Sequence, residues 1–196
     1  MENRLVFWID TINTWLGKTF GWCIVFLTAA TSYEVFARYV LGAPTEWAFD
    51  AAYILYGTLF MMAGAYTLAR NSHVRGDWIY RNWSPRTQAK SDLVLYFIFF
   101  FPGIVTLFYI GWDYAAYSWS VKERSLFTPA GPIIYPFKTI IPIAGAMLIM
   151  QGIAEVLRCI YCIQHNKWPP RLGDVEELEQ VLQKQYGTEG QTGEKV

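Results

Sequence analysis

In one stretch of this chain, residues 33–77, charged side chains lie inside or beside apolar segments. Glu34 and Arg38 are four residues apart, and Glu46 and Asp50 follow after a short turn. A charge at the centre of a membrane helix costs about 2.5 to 3.5 kcal/mol on insertion scales, so such a group needs a partner. The three carboxylates outnumber the single arginine, so the surplus negative charge could bind a cation or a proton. Alternatively, the four side chains could form a network that holds a helical hairpin together and docks a partner helix.

We favour the structural interpretation because a transport pathway would need polar groups that continue through the membrane. The same role as a partner interface or structural charge network is assigned to Trp47, which follows the turn, and to the polar exit of the stretch. That exit holds His73, Arg75 and Asp77.

Motifs for catalysis are absent from the sequence, which contains no nucleophile elbow, zinc-protease, P-loop or dinucleotide fingerprint. His73 and His165 are the two histidines, and haem ligation across a helical bundle usually needs paired histidines within helices. Cys159 and Cys162 form a C-x-x-C without a following histidine or a second pair, which favours buried thiols. We predict no enzyme, no cofactor and no metal site.

Composition indicates the class of protein. Of the 196 residues, 54% are hydrophobic and 16% are charged, and uncharged runs cover residues 19–33, 51–69, 93–112 and 139–154. A membrane-spanning helix needs roughly 20 mostly apolar residues, a length that these runs reach once the paired charges are included. Net charge is zero and no basic block occurs, so nothing supports nucleic-acid binding. We predict a polytopic membrane protein embedded in a lipid bilayer.

The predicted fold is all-α, with four transmembrane helices and an N-terminal amphipathic interfacial helix. Residues 1–18 form the interfacial helix, residues 19–163 the transmembrane domain, and residues 164–196 a cytoplasmic tail that is partly disordered. The interfacial helix is predicted from apolar residues on one helical face: Leu5, Trp8, Ile12, Trp15 and Leu16. Alternatively, it is an extension of the first spanning helix. The spans are expected at residues 19–40 and 46–70, from residue 85 onward, and at residues 139–163.

On each of two of these helices, residues that include two glycines recur every seven positions, which favours close approach of a neighbouring helix. The second span carries Asp50, Gly57 and Gly64. The fourth carries Lys138, Gly145, Gly152 and Cys159. On the fourth span, Glu155 and Arg158 are also close enough to pair on one face.

Orientation follows from the lysine and arginine residues near the ends of the spans. Twelve lie on the side of the two termini and of the second loop, and four lie on the other side. Because cytoplasmic loops carry the excess of positive charge, we expect both termini in the cytoplasm.

A family resemblance rests on motifs in this same region. The run Arg38-Tyr-Val-Leu-Gly-Ala-Pro-Thr-Glu-Trp47 is followed by Asp50, by Gly64-Ala65 and by His73-Val-Arg-Gly-Asp77. In order and spacing these motifs resemble the DctQ-like family, the small membrane subunits of tripartite ATP-independent periplasmic (TRAP) transporters. Where that family often has paired acids after the tryptophan, this chain has Asp50 alone.

The resemblance implies a small permease subunit of a symport system in the bacterial inner membrane. A periplasmic solute-binding protein would capture a solute, typically an organic acid, and a large membrane subunit would carry it inward on a sodium gradient. The small subunit would be the scaffold of the large one. The alternative function is an anchor or accessory subunit of a redox or other membrane complex.

Overall fold

The structure, a computed structural model, describes residues 4–71, 78, 80–129 and 131–169. Seven α-helices are described: α1 (Arg4–Gly21), α2 (Cys23–Tyr39), α3 (Ala48–Ala69), α4 (Pro85–Leu95), α5 (Phe101–Ser120), α6 (Tyr135–Lys138) and α7 (Ile140–His165). In these residues the single β-bridge is isolated, between Arg124 and Ile133.

Four helical segments are long and apolar enough to cross a membrane: Arg4–Tyr39, Ala48–Ala69, Pro85–Ser120 and Tyr135–His165. The all-α class and the four spans are therefore confirmed. The interfacial position of the N-terminal helix and the orientation of the termini stay predictions. The predicted cytoplasmic tail with its partial disorder lies, after residue 169, outside the described residues.

The four spans form an open layer. Helix α3 packs against α1, α2 and α7, while α7 also packs against α1, α4 and α5. Within the described residues the first and third spans share no extended interface, so the layer does not close into a ring. Its central contact joins Met62 and Ala65 of α3 to Ala144 and Met147 of α7. Helix α5 consequently lies at one edge of the layer and α2 at the other.

The N-terminal helix differs from its predicted bounds. Helix α1 continues to Gly21, and only Trp22, whose backbone angles stay right-handed helical, separates it from α2. Nothing in this part of the sequence interrupts the backbone as Gly42 does at the hairpin, where φ is +63°. Trp8 and Trp15 are 62% and 65% exposed, whereas Asp10 and Asn13 are buried against α7. The polar side of α1 thus faces protein and its apolar side faces outward.

Glycines allow the close helix contacts that the seven-residue spacing predicted. A Cβ atom on Gly57 would lie 2.6 Å from the ring of Phe137, and one on Gly145 would lie 3.2 Å from the Cα of Phe108. A Cβ on Gly152 would lie 2.5 Å from the ring of Phe100. The seams therefore join α3 to the start of the fourth span, and α7 to the third.

The third span begins with a helix cap. The Ser84 side chain accepts a hydrogen bond from the backbone N–H of Thr87, and Pro85 occupies the first turn, where its missing N–H is not needed. A π-helical turn at Tyr96–Phe100 precedes Pro102. Because proline cannot donate to the carbonyl four residues earlier, the backbone adjusts one turn before it.

Candidate functional site

The hairpin between the first two spans is held by one carboxylate. Glu34 accepts hydrogen bonds from Arg38 Nε at 2.8 Å and from the backbone N–H of Thr45 at 2.9 Å, and also from the Thr45 hydroxyl. The predicted pairing of Glu34 with Arg38 is confirmed, with the arginine side chain 53% exposed. Glu34 therefore joins the last turns of α2 to the residues just before α3.

Asp50 does not share the arginine. Its side chain is buried in the first turn of α3 and accepts hydrogen bonds from the hydroxyls of Ser125 and Thr128. The positive end of the α3 dipole also stabilises a carboxylate at this position. From the sequence, Arg38 was the only cation near the three acids and could have paired with Asp50. In the structure the partners of Asp50 are instead two neutral hydroxyl groups from a distant loop.

The remaining residues predicted near the hairpin are exposed. Glu46 forms no ion pair with any described residue, and Trp47 is 46% exposed with its ring stacked on Tyr33 at 6.2 Å. His73, Arg75 and Asp77 lie outside the described residues.

A second ion pair, not anticipated from the sequence, lies at the start of the fourth span. Lys138 is buried, donates to the carboxylate of Glu123 and lies 4.0 Å from the centre of the Tyr114 ring. Ser118 donates to the same carboxylate at 2.7 Å. The hydrogen bonds from Lys138 and Ser118 lower the pKa of the Glu123 carboxyl below its ordinary value.

These contacts fix the loop between α5 and α6 at two points. Glu123 ties its beginning to α5 and to Lys138, while Ser125 and Thr128 tie its middle to Asp50 of α3. Within the loop, the backbone N–H of Ser125 donates to the carbonyl of Pro132 at 2.9 Å. The loop is therefore a defined part of the fold that connects the second, third and fourth spans.

The most deeply buried cluster joins α1 to α7. Arg158 pairs with Asp10 through one guanidinium nitrogen and with Glu155 through another. Gln151 donates to Asp10 at 2.9 Å and accepts from the Asn13 amide at 2.7 Å. The pairing of Glu155 with Arg158 was predicted. Asp10 was not, because α1 was assigned a lipid-facing role and its polar side was left without a protein partner.

Asp50 with Ser125 and Asp10 with Arg158 connect segments that are 75 and 148 positions apart in the sequence. Among the described residues no group of three or more His, Cys, Asp or Glu side chains is arranged to hold a metal ion. His165, at the end of α7, stacks on Tyr161 at 4.2 Å.

Comparison with protein families gives one match. Residues 27–161 match the family described as tripartite ATP-independent periplasmic transporters, DctQ component. The match begins within α2 and ends within α7, so it covers the hairpin, the second and third spans, the loop between α5 and α6, and parts of the first and fourth spans. Comparison of the chain with curated proteins found no match. The chain therefore belongs to the DctQ family of TRAP transporter components.

Proposed function

We propose that this chain is the scaffold subunit of a sodium-driven TRAP transporter. In this function it holds a large permease subunit in the bacterial inner membrane and takes no part in the solute or ion site. The solute, an organic acid by family resemblance, is delivered by a periplasmic binding protein. The observation that carries the proposal is the family match across residues 27–161.

The arrangement of charges supports a scaffold rather than a carrier. Asp10 with Arg158, Asp50 with Ser125 and Thr128, and Glu123 with Lys138 each join one element of this chain to another. Carriers place substrate and ion sites near the middle of the bilayer, between helices whose regular structure is interrupted. Here the charged groups instead stabilise the chain's own fold.

The shape of the chain gives the same indication. A layer of helices that does not close leaves most of each outer span uncovered, and large apolar side chains are exposed along α2 and α5, such as Phe26, Val35, Ile110 and Trp112. Lipid and a membrane partner can share such a surface. We also propose that both termini face the cytoplasm, which places the loop with Glu123 and Ser125 on the periplasmic side.

Co-purification tests the proposed function. The chain carrying an affinity tag is expressed together with the large TRAP subunit of the same transporter, and the membranes are solubilised in a mild detergent. We expect the large subunit to be retained in a fixed ratio. The chain reconstituted alone should not transport the solute, and the complex should show no haem absorbance. A carrier would transport alone, and a redox anchor would be coloured.

A further inference from the structure

We propose that the side of α5 turned away from α7 docks a transmembrane helix of the large subunit. This docking face consists of Thr106, Tyr109, Asp113 and Tyr117. The inference rests on the proposed function, since it names the surface through which the scaffold holds its partner.

The four residues form one stripe along α5. They are spaced by three, four and four positions, which places them on the same face of an α-helix. All four are exposed, Tyr109 and Tyr117 by 68% and 66%. The buried residues of α5, Gly111, Ala115 and Ser118, lie on the opposite side, where Gly111 meets Ile141 of α7.

The stripe is polar, yet its side chains have no hydrogen-bond partners among the described residues. Thr106 differs in this respect from several other helical threonines, whose hydroxyls donate to the carbonyl four residues earlier: Thr11, Thr19, Thr28, Thr31 and Thr67. Neither Tyr109 nor Asp113 forms a hydrogen bond or an ion pair within the described part of the chain. A polar group left unpaired in hydrocarbon is costly, so this stripe is unsuited to a purely lipid environment.

The position of Tyr109 on its helix directs the side chain away from the nearer membrane surface. Thr106 and Tyr109 lie within the uncharged run 93–112, and Tyr109 lies near its C-terminal end. Side chains in a helix lean toward the helix N-terminus, which for Tyr109 is the middle of the run. The exposed Tyr53 lies near the N-terminal end of its own span, so the same rule turns it toward the surface.

Asp113 specifies the chemistry of the partner. It is an exposed carboxylate one residue beyond the uncharged run and lies within the candidate span Pro85–Ser120. Ionisable residues in spanning helices pair with opposite charges or with hydrogen-bond donors. The partner helix should therefore present an arginine, a lysine or a side-chain amide opposite Asp113, and hydrogen-bonding groups opposite Thr106 and Tyr109.

Another exposed surface of the chain shows what a lipid-facing side looks like. Along α7 the exposed large side chains that precede Tyr161 are aliphatic: Ile143, Met150, Ile153 and Ile160. Acyl chains satisfy such a surface completely. Since α5 is at the edge of the open layer, a helix docked on the stripe would become the next member of that layer.

Photocrosslinking tests the docking face in the intact complex. The photoreactive amino acid benzoylphenylalanine replaces Tyr109 in one variant and, as the matched control, Phe60 of α3, an aromatic residue of similar exposure at 65%. We expect a covalent adduct with the large subunit from position 109 and none from position 60. Adducts from position 60 alone, or lipid adducts alone from position 109, would overturn the inference.

Charge variants provide an independent readout. We expect Asp113→Lys to lower the amount of co-purified large subunit by more than about tenfold. The variant removes the acceptor of the partner's hydrogen-bond donor and, opposite an arginine or a lysine, places like charges against each other. Asp113→Asn, which keeps a hydrogen-bonding group, should have a smaller effect. If both variants retain the large subunit as the unmodified chain does, the docking face is wrong while the proposed function stands. If the unmodified chain retains no large subunit, both fail.

Discussion

Replacing Arg158 with methionine tests the cluster that joins α1 to α7. The Arg158 side chain is 4% exposed, and those of Asp10 and Glu155 are 3% and 2% exposed. The substitution keeps a long side chain but leaves two buried carboxylates without the guanidinium that joins them. Breaking a buried ion pair by removing one partner costs about 3 to 5 kcal/mol, so we expect a loss of that size in the free energy of unfolding.

Arg38→Met is the matched control, because it also removes an arginine that pairs with a glutamate on its own helix. The Arg38 side chain is 53% exposed, and Thr45 still donates to Glu34 after the substitution. An exposed pair of this kind contributes little to stability, so we expect Arg38→Met to change the free energy of unfolding much less than Arg158→Met does.

The assay is unfolding of the purified chain in mixed micelles of increasing SDS content, followed by tryptophan fluorescence. Arg158→Met should unfold at a much lower SDS fraction than Arg38→Met. The combined variant Asp10→Asn, Glu155→Gln, Arg158→Met removes every charge of the cluster and should recover part of the loss. Equal midpoints for the two single variants would refute the structural role given to Arg158.

Three further predictions follow from other contacts. A Cβ on Gly17 would lie 2.4 Å from Tyr66 Cβ, whereas one on Gly21 meets nothing within 4 Å. In the same unfolding assay, Gly17→Ala should therefore lower the free energy of unfolding by about 1 to 3 kcal/mol, and Gly21→Ala should not lower it. Because the pKa of Glu123 is lowered from an ordinary value of 4.5, its stabilising contribution is present above that value and is lost as the pH falls through the folded-state pKa. The unfolding midpoint of the unmodified chain should thus fall more steeply below about pH 4.5 than that of Glu123→Gln, and parallel profiles would contradict this. The topology can be tested with single cysteines in a variant without the native ones, since Leu126 and Trp78 are 97% and 78% exposed. In intact cells Leu126→Cys should react with an impermeant thiol reagent, and Trp78→Cys should not. The reverse pattern would invert the proposed topology.

Sequence patterns predicted the contacts that form within one helix. Glu34 with Arg38 and Glu155 with Arg158 are separated by four and three residues, so helical geometry alone brings them together. The glycine seams were also predictable, since a seven-residue spacing marks one side of a helix whatever its neighbour is.

Partners supplied by distant segments could not be predicted in this way. Asp10 and Arg158 are 148 positions apart, and Asp50 and Ser125 are 75 apart. Their pairing depends on how the spans are ordered in the layer, which the pattern of one helix does not specify. Asp10 lies on a helix whose tryptophans indicated the membrane boundary. Because the helix was assigned to that boundary, no protein partner was expected for its polar side.

The central claim is that this subunit supports transport without sharing the ion site. Asp50 tests it most directly, because it is a buried carboxylate that could bind sodium and here accepts hydrogen bonds from Ser125 and Thr128. The measurement is the sodium dependence of solute uptake by proteoliposomes that hold the complete transporter with Asp50→Asn. For a complex that still assembles, the sodium concentration at half-maximal uptake should equal that of the unmodified transporter. A shifted half-saturation in the assembled variant would contradict the claim and place this chain in the ion site.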